Sequence, residues 1–416
     1  MSDNPFKISF KLKQHTPLIH FQHNQKGATL RATELKPKLD KFLIERVFKK
    51  DRKKYEKYLI DKDKDALNYK VKIVYKDVEF FDIEQSIPKP NGKFKTVQFP
   101  LFFANMGLKN KDEKRRFSFT EKPIEVEFFS LYPEILELIE KNFAAFLILN
   151  NFGTRQSKGF GSFYIHPDDP HYKKLRLNYH FTIELNKKRA LKDNLKLIFE
   201  KIELFYKSLR AGINDFNFHE QKTSFYFKSM MFAYAKSKNI QWDKKSIKEK
   251  FFNSYLKNQA KEHNNDELLT FKSNQKYLIK ELLGLSTEES WKSYDASIKR
   301  ESEGIERFPS PLFFKPLIED NVAEIYFEPL PIKSKMYNAE FNITSSTSRD
   351  ILSLSTPPKD VFTVKDFLDF AINVDLTKHV QNEYQKNQKF NDLKEIYSKI
   401  KSYREKITNK AGGKNG

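Results

Sequence analysis

A glycine-rich segment, Gly153-Thr-Arg-Gln-Ser-Lys-Gly-Phe-Gly-Ser162, lies between a predicted helix and a predicted strand. Its three glycines let backbone N–H groups approach an anion closely, and Arg155 and Lys158 add positive charge. The segment lacks the Gly-Lys-Ser/Thr ending of a P-loop, and its position after a helix excludes a dinucleotide-binding fingerprint. The pattern therefore favours either a phosphate-binding loop or a basic connection between helix and strand.

The residues around this segment alternate between strand and helix periodicity. Apolar and polar side chains alternate from Phe6 to Leu12, which predicts a first strand. A helix with Thr33 as N-cap follows, with Leu35, Leu39 and Phe42 on one face. Further strands are predicted at 71–81, 98–103, 124–129 and 163–165, and a helix at 133–149. This order predicts a ferredoxin-like βαββαβ unit with insertions.

The segment 45–70 interrupts this pattern. It is dense in charged residues and has few apolar anchors, so it indicates a solvated helix or insertion.

Prolines and aspartates at 167–170 mark a domain boundary. We expect an N-terminal domain over residues 1–168 and a second, more helical domain over 171–416. In the second domain, 177–185 alternates as a strand, 191–209 is a long amphipathic helix, and 364–370 has helical periodicity. Strand-like runs occur at 311–318 and 323–327. The fold class is therefore α+β.

Charge and composition limit the classes of partner. The 76 Lys and Arg residues against 55 Asp and Glu residues give a net charge of +21, which favours nucleic acid or an anionic membrane surface, or else a generally solvated basic surface. The absence of cysteine excludes disulfides, thiolate metal sites and a cysteine nucleophile. No secretory signal or membrane-length apolar run is present, so we expect a cytoplasmic protein without a membrane partner.

A second basic feature lies at the start of the first helix. Arg31, Lys36 and Lys38 surround a helix N-terminus, where exposed N–H groups favour anions. The same residues also fit a capped, solvated helix start.

These residues resemble the RAMP superfamily of CRISPR-associated proteins. The segment 153–162 is similar to the Gly-rich loop of that superfamily, and Thr16-Pro17-Leu18 and Leu30-Arg31 through Leu35-Lys36 are similar to its substrate loop and helix start. Ser310-Pro-Leu-Phe-Phe-Lys315 resembles a strand of RAMP domains, and the whole chain resembles the two-domain subunit of type III-B effector complexes. No second Gly-rich loop of comparable quality appears after residue 177, so the second domain is expected to be a divergent RAMP domain.

The resemblance implies a noncatalytic RNA-binding subunit that contacts guide RNA or the guide–target duplex. Its implied partners are guide RNA, target RNA and other effector subunits, and it implies no cofactor and no metal. The implied RNA-binding residues are Arg31, Lys36, Gly153, Arg155, Gln156, Ser157, Lys158, Gly159 and Gly161.

The alternative within the superfamily is a guide-processing endoribonuclease. Such enzymes use a histidine for metal-independent general acid–base catalysis on a 2′-hydroxyl. His15, His20 and His23 lie near the first helix, and His20 is the candidate for this role.

Overall fold

The computed structural model of the protein describes residues 4–19, 29–82, 84–88, 94–98, 116–217, 220, 222–252, 270–285, 287–291 and 294–412. The chain is a mixed α/β protein that divides into two compact units. The first unit comprises residues 1–178, 182–198 and 314–327, and the second comprises 179–181, 199–313 and 328–416. The predicted mixture of helices and strands is confirmed.

The first unit contains a four-stranded antiparallel sheet. Up to residue 165, the strands of this unit are β1 (Lys7–Gln14), β2 (Lys70–Val74), β3 (Glu79–Asp82), β4 (Glu84–Pro88), β5 (Phe94–Gln98), β6 (Arg116–Phe119), β7 (Ile124–Phe129) and β8 (Phe163–Ile165). Its helices are α1 (Ala32–Phe42), α2 (Arg52–Tyr55) and α3 (Pro133–Ile148). The sheet has the order β2-β7-β1-β8, while β3 pairs with β6 and β4 with β5. Helix α1 lies between β1 and β2 in the chain, and α3 between β7 and β8.

One face of this sheet forms a core with α3. Phe10 of β1 is 1% exposed, and its ring centroid lies 4.6 Å from that of Phe143. Phe128 of β7 is fully buried at 5.2 Å from the same Phe143 ring. The period-2 alternation of β1 and the apolar periodicity of α3 therefore give the packing that the sequence predicts.

Two sequence predictions in this unit were wrong in detail. The N-cap of α1 is Arg31, two residues before the predicted Thr33, and its side chain makes no capping bond. The insertion after α1 has apolar anchors, because Phe48, Tyr55 and Tyr58 are buried. Their spacing fits no single period, since the chain passes there through a π turn, a short α-helix and a 3-10 turn. The strand predicted at 98–103 lies outside the described residues except for its first position.

The remaining elements follow in chain order. The strands are β9 (Tyr179–Glu184), β10 (Ile213–Asn217), β11 (Lys222–Phe227), β12 (Ile240–Gln241), β13 (Gln275–Lys276), β14 (Glu288–Trp291), β15 (Ala296–Glu301), β16 (Leu312–Glu319), β17 (Val322–Pro329), β18 (Glu340–Ser345) and β19 (Ser348–Ser355). The helices are α4 (Leu191–Arg210), α5 (Met230–Ser237), α6 (Asp243–Phe251), α7 (Val364–Ala371) and α8 (Gln388–Gly412). A three-stranded sheet has the order β16-β17-β9.

The second unit contains an antiparallel sheet of order β14-β15-β18-β19, the hairpin β10-β11 and the parallel pair β12-β13. The predicted helix at 364–370 is confirmed by α7. The four strands of the sheet were not predicted from the sequence. Segments such as Glu288-Glu-Ser-Trp291 and Ser348–Ser355 have too few apolar residues for a clear alternation.

A buried network of charged side chains lies inside the second unit. Glu281 is 1% exposed in its side chain and pairs with Arg210 at 3.0 Å, Lys280 at 3.0 Å and Arg300 at 3.2 Å. Glu289 pairs with the same Lys280 at 3.0 Å and with Arg300 at 2.8 Å. Burial raises the pKa of Glu281, but the three cations outweigh burial and hold it below its usual value.

Among the described residues, none of the helices is both long and apolar enough to cross a membrane.

Candidate nucleic-acid interface

The Gly-rich loop, residues 153–162, follows the end of α3 and contains a 3-10 turn at Gln156–Lys158. Gly161 has φ +65°, and a Cβ atom there would lie 2.0 Å from the carbonyl oxygen of Phe152. At Gly153, with φ +76°, a Cβ would lie 2.6 Å from the carbonyl oxygen of Ile19. Both glycines are therefore required by the close approach of two backbone segments within the unit.

Several backbone N–H groups of the loop donate hydrogen bonds to acceptors within the protein. The N–H groups of Gly161 and Thr154 donate to the carbonyl oxygens of Pro17 and Ile19, each at 2.8 Å. The N–H of Gly159 donates to Gln156 within the 3-10 turn. In this conformation, the N–H groups of the glycines are committed to the fold and are not available to an anion.

Thr16 holds the second half of the loop, residues 159–162, at both of its ends. Its Oγ1 donates to the carbonyl oxygen of Gly159 at 2.6 Å and accepts from the N–H of Ser162 at 2.9 Å. Thr16 is fully buried. The Thr16-Pro17-Leu18 segment identified in the sequence therefore holds the Gly-rich loop in place.

Helix α1 is bonded directly to the first half of the loop. The N–H of Gly153 donates to Glu34 Oε1 at 2.6 Å, and Lys38 Nζ donates to Gln156 Oε1 at 2.7 Å and to the carbonyl oxygen of Asn151 at 2.6 Å. Lys38 also forms an ion pair with Glu34 at 3.4 Å. Burial lowers the pKa of Lys38, and the Glu34 carboxylate opposes that shift. The two basic features of the sequence thus meet in one place.

Behind the loop, the buried Lys315 of β16 joins three segments of the first unit. Its Nζ donates to the carbonyl oxygens of Asn150 and Phe163, at 2.8 and 2.9 Å, and to Asn151 Oδ1 at 3.2 Å. Burial, with a smaller effect of the nearby Lys38 charge, holds the pKa of Lys315 well below its usual value. Sequence reasoning included Lys315 in a RAMP-like strand but gave it no role.

The predicted RNA-binding cations do not all lie at the surface. Arg31 and Arg155 are partly exposed, whereas Lys158 is 4% exposed. Lys36 Nζ donates to Asp40 at 2.6 Å and to the carbonyl oxygen of Leu67 at 2.9 Å. The ammonium group of Lys36 is therefore bonded inside the fold. Gln156 and Ser157, in the 3-10 turn, are partly exposed.

His15 is one of the three histidines considered from the sequence, and it is 4% exposed. Its Nδ1 accepts the N–H of Ile318 at 2.8 Å. Burial, followed by the charges of Lys13 and Lys315, holds the pKa of His15 well below its usual value. His20 and His23 lie outside the described residues.

Comparison with protein families identifies the class of this chain. The model of the Cmr1 N-terminal domain matches residues 5–213, and the model of the Cmr1 C-terminal domain matches residues 226–401. The chain belongs to the Cmr1 family, and the predicted membership in the RAMP superfamily of CRISPR-associated proteins is confirmed. It is thus a Cmr1-like RAMP protein.

Similarity to individual proteins is low. No curated protein matches the chain. A solved structure described as "Cryo-EM structure of the Type III-B Cmr-beta bound to cognate target RNA" contains a chain with 12% sequence identity and a TM-score of 0.27. That match covers 39% of this chain and 58% of the other chain. This protein therefore spans less than two thirds of the length of the other chain.

Proposed function

We propose that this protein is a noncatalytic RNA-binding subunit of a type III CRISPR effector ribonucleoprotein, located in the cytoplasm, that contacts guide RNA or the guide–target duplex. Membership in the Cmr1 family supports the assignment to such a complex. Guide RNA, target RNA and other effector subunits are its proposed partners. The net charge of +21 supports a polyanionic ligand.

One observation carries the proposed site: helix α1 and the Gly-rich loop are bonded into one surface by Glu34 and Lys38. Arg31 is the N-cap of α1, one turn before Glu34. Glu34 accepts the N–H of Gly153, and Arg155 lies two residues after that glycine. We assign phosphate contacts to Arg31 and Arg155 and further polar contacts to Gln156 and Ser157.

The other predicted residues receive a supporting role in this proposal. Gly153, Gly159 and Gly161 shape the loop, because their N–H groups donate within the protein. Lys36 and Lys158 contribute through the positive potential and the packing of the surface, since one is ion-paired and the other buried.

The fold of the first unit supports the same proposal. The strand order β8-β1-β7-β2, with α1 and α3 as the connecting helices, is the arrangement expected of a ferredoxin-like βαββαβ unit. We propose this fold for the domain over residues 1–168. For residues 171–416 we propose a second, helix-rich domain that is derived from a RAMP domain.

The noncatalytic assignment draws support from His15. A histidine that is 4% exposed and bonded to a backbone N–H cannot approach the 2′-hydroxyl of an RNA strand. Catalysis by His20 stays a prediction. Incubation of labelled repeat RNA with the pure protein without metal tests it, and defined cutting that His20→Ala abolishes would favour the nuclease.

A filter-binding titration of the full chain with guide RNA tests the proposed site. We expect Arg31→Ala plus Arg155→Ala to weaken binding about 10- to 100-fold and to lower the slope of log affinity against log salt, because two phosphate contacts are lost. The exposed Arg349→Ala is the matched control and should leave affinity unchanged. Equal affinities of the double variant and the wild type would contradict the site.

A further inference from the structure

The face of the four-stranded sheet opposite the α3 core is exposed along β2, β7 and the first half of β1, whereas Tyr164 of β8 is buried. On β1, Phe10 and Leu12 point into the core, so Lys7, Ser9 and Lys11 lie on the other face. On β7, the buried Val126 and Phe128 alternate with Glu125, Glu127 and Phe129. The described part of this face is thus built from a few named side chains whose register is known.

Phe129 occupies the centre of a row across three strands of this face. It pairs with Lys7 of β1 on one side and with Lys70 of β2 on the other. Directly opposite residues in a sheet have Cβ atoms about 5 Å apart, so the Phe129 ring has an ammonium-bearing side chain on each side. Phe129 is 43% exposed.

The exposure of Phe129 is unusual within this protein. Only five large hydrophobic side chains of the described residues are exposed. Three of them, Phe6, Phe129 and Leu131, lie together where β1 begins and β7 ends. A β-strand position facing water requires no phenylalanine for stability, since the polar threonine also has a high strand propensity. A clustered set of exposed apolar side chains is typical of a binding surface.

The charge of the face is positive and partly compensated. The lysines of its exposed part are Lys7, Lys11, Lys70 and Lys72, against the two carboxylates of Glu125 and Glu127. Lys7 binds Glu127 at 2.7 Å, and Lys72 lies 3.9 Å from the same carboxylate. The negative charge of Glu127 is therefore neutralised locally, and the surplus charge of the face is positive.

An exposed aromatic ring between cations on a central strand suits single-stranded RNA. Bases stack on aromatic side chains of an antiparallel sheet, while lysines bind the phosphates, as in RRM domains. We infer that this sheet face, centred on Phe129 with Lys7 and Lys70 beside it and Lys11 four residues further along β1, is a second RNA-contact surface that stacks an unpaired base. It rests on the proposed RNA partner but not on the Gly-rich loop.

The first test measures affinity of the full chain for a single-stranded RNA oligonucleotide. Phe129→Ala should weaken binding about tenfold, as expected when one base loses its stacking partner, and Phe129→Trp should keep wild-type affinity. The control is Ile60→Ala, which removes an exposed apolar side chain of the same unit, at 60% exposure, and should change nothing. Unchanged affinity of Phe129→Ala would overturn the inference.

A second variant tests the charge of the face. Lys11→Ala plus Lys70→Ala removes two lysines outside the ion pairs of Glu127. The slope of log affinity against log salt should fall by about 1.4, because each phosphate contact with a single strand contributes about 0.7. An unchanged slope would contradict phosphate binding on this face.

Crosslinking separates this surface from the proposed loop site. RNA carrying 4-thiouridine should crosslink to a peptide containing Phe129 as well as to one containing Arg155. Crosslinks and affinity losses confined to Arg31 and Arg155 would refute the sheet surface and leave the proposed function standing. Losses confined to Phe129 would refute the loop site and leave the sheet surface and the RNA partner standing. If Phe129→Ala released another effector subunit at unchanged RNA affinity, the face would be a protein-docking surface and the inference wrong.

Discussion

At the residue scale, the basic side chains of this protein divide into surface cations and buried structural ones. Lys158 and Lys315 are 4% and 0% exposed, although lysine is almost never fully buried. Lysine burial depends on tertiary partners, here two backbone carbonyls and an asparagine for Lys315, which no local pattern encodes. The sequence therefore indicated which residues carry positive charge but could not assign each cation to surface or interior.

His15 makes the stability of the protein sensitive to mild acid. Its pKa lies well below that of a histidine in the unfolded chain, about 6.5, so the unfolded chain binds more protons as the pH falls through that value. Stability is retained above pH 6.5 and decreases below it, by at most about 1.4 kcal/mol per pH unit for this group. The charged groups facing it are Lys13, Lys315 and His166.

We expect His15→Asn to reduce this pH dependence, because Asn Oδ1 keeps an acceptor for the N–H of Ile318 and does not titrate. Urea unfolding at pH 7.5 and pH 5.5 measures the difference. His166→Asn is the control, since that histidine is partly exposed. If the free energy of unfolding of His15→Asn fell with pH as steeply as that of the wild type, His15 would not be the responsible group.

At the element scale, regular periodicity was predictable and irregular connections were not. Helix α3 begins at the predicted Pro133 and ends one residue before the predicted end, and β1 lies within two residues of its prediction. The Gly-rich loop was recognised by its motif, yet its bonds to Thr16 and Glu34 join residues more than a hundred positions apart. Contacts of that separation have no signature in a single sequence.

Gly161→Ala tests whether the loop glycines serve the fold. The φ of +65° costs an alanine about 1–2 kcal/mol, and the Cβ would lie 2.0 Å from the Phe152 carbonyl oxygen, so we expect a total loss of about 3 kcal/mol or more. Gly304, with φ +68° and nothing within 4 Å of its Cβ position, is the matched control and should show only the conformational cost. Thermal unfolding measures both. Equal losses at the two positions would argue against the close approach.

At the scale of the whole molecule, the net charge of +21 and the buried network of the second unit respond differently to salt. Surface charges are screened beyond about 10 Å at 0.1 M ionic strength, whereas buried pairs are screened much less. RNA affinity should therefore fall steeply with salt, while the network around Glu281 and Glu289 should keep its contribution to folding. Its members come from α4, the 3-10 turn at 280–283, β14 and β15.

Glu281→Gln separates the two effects. The substitution leaves Arg210, Lys280 and Arg300 buried with one carboxylate fewer, so we expect a loss of about 3–5 kcal/mol in unfolding free energy that changes little between 50 and 500 mM NaCl. Glu137→Gln, which breaks an exposed pair with Lys141, should cost less than about 1 kcal/mol, and less still at high salt. Denaturant unfolding at both salt concentrations measures this, and a Glu281→Gln loss that disappeared at 500 mM NaCl would mean that the network is open to water.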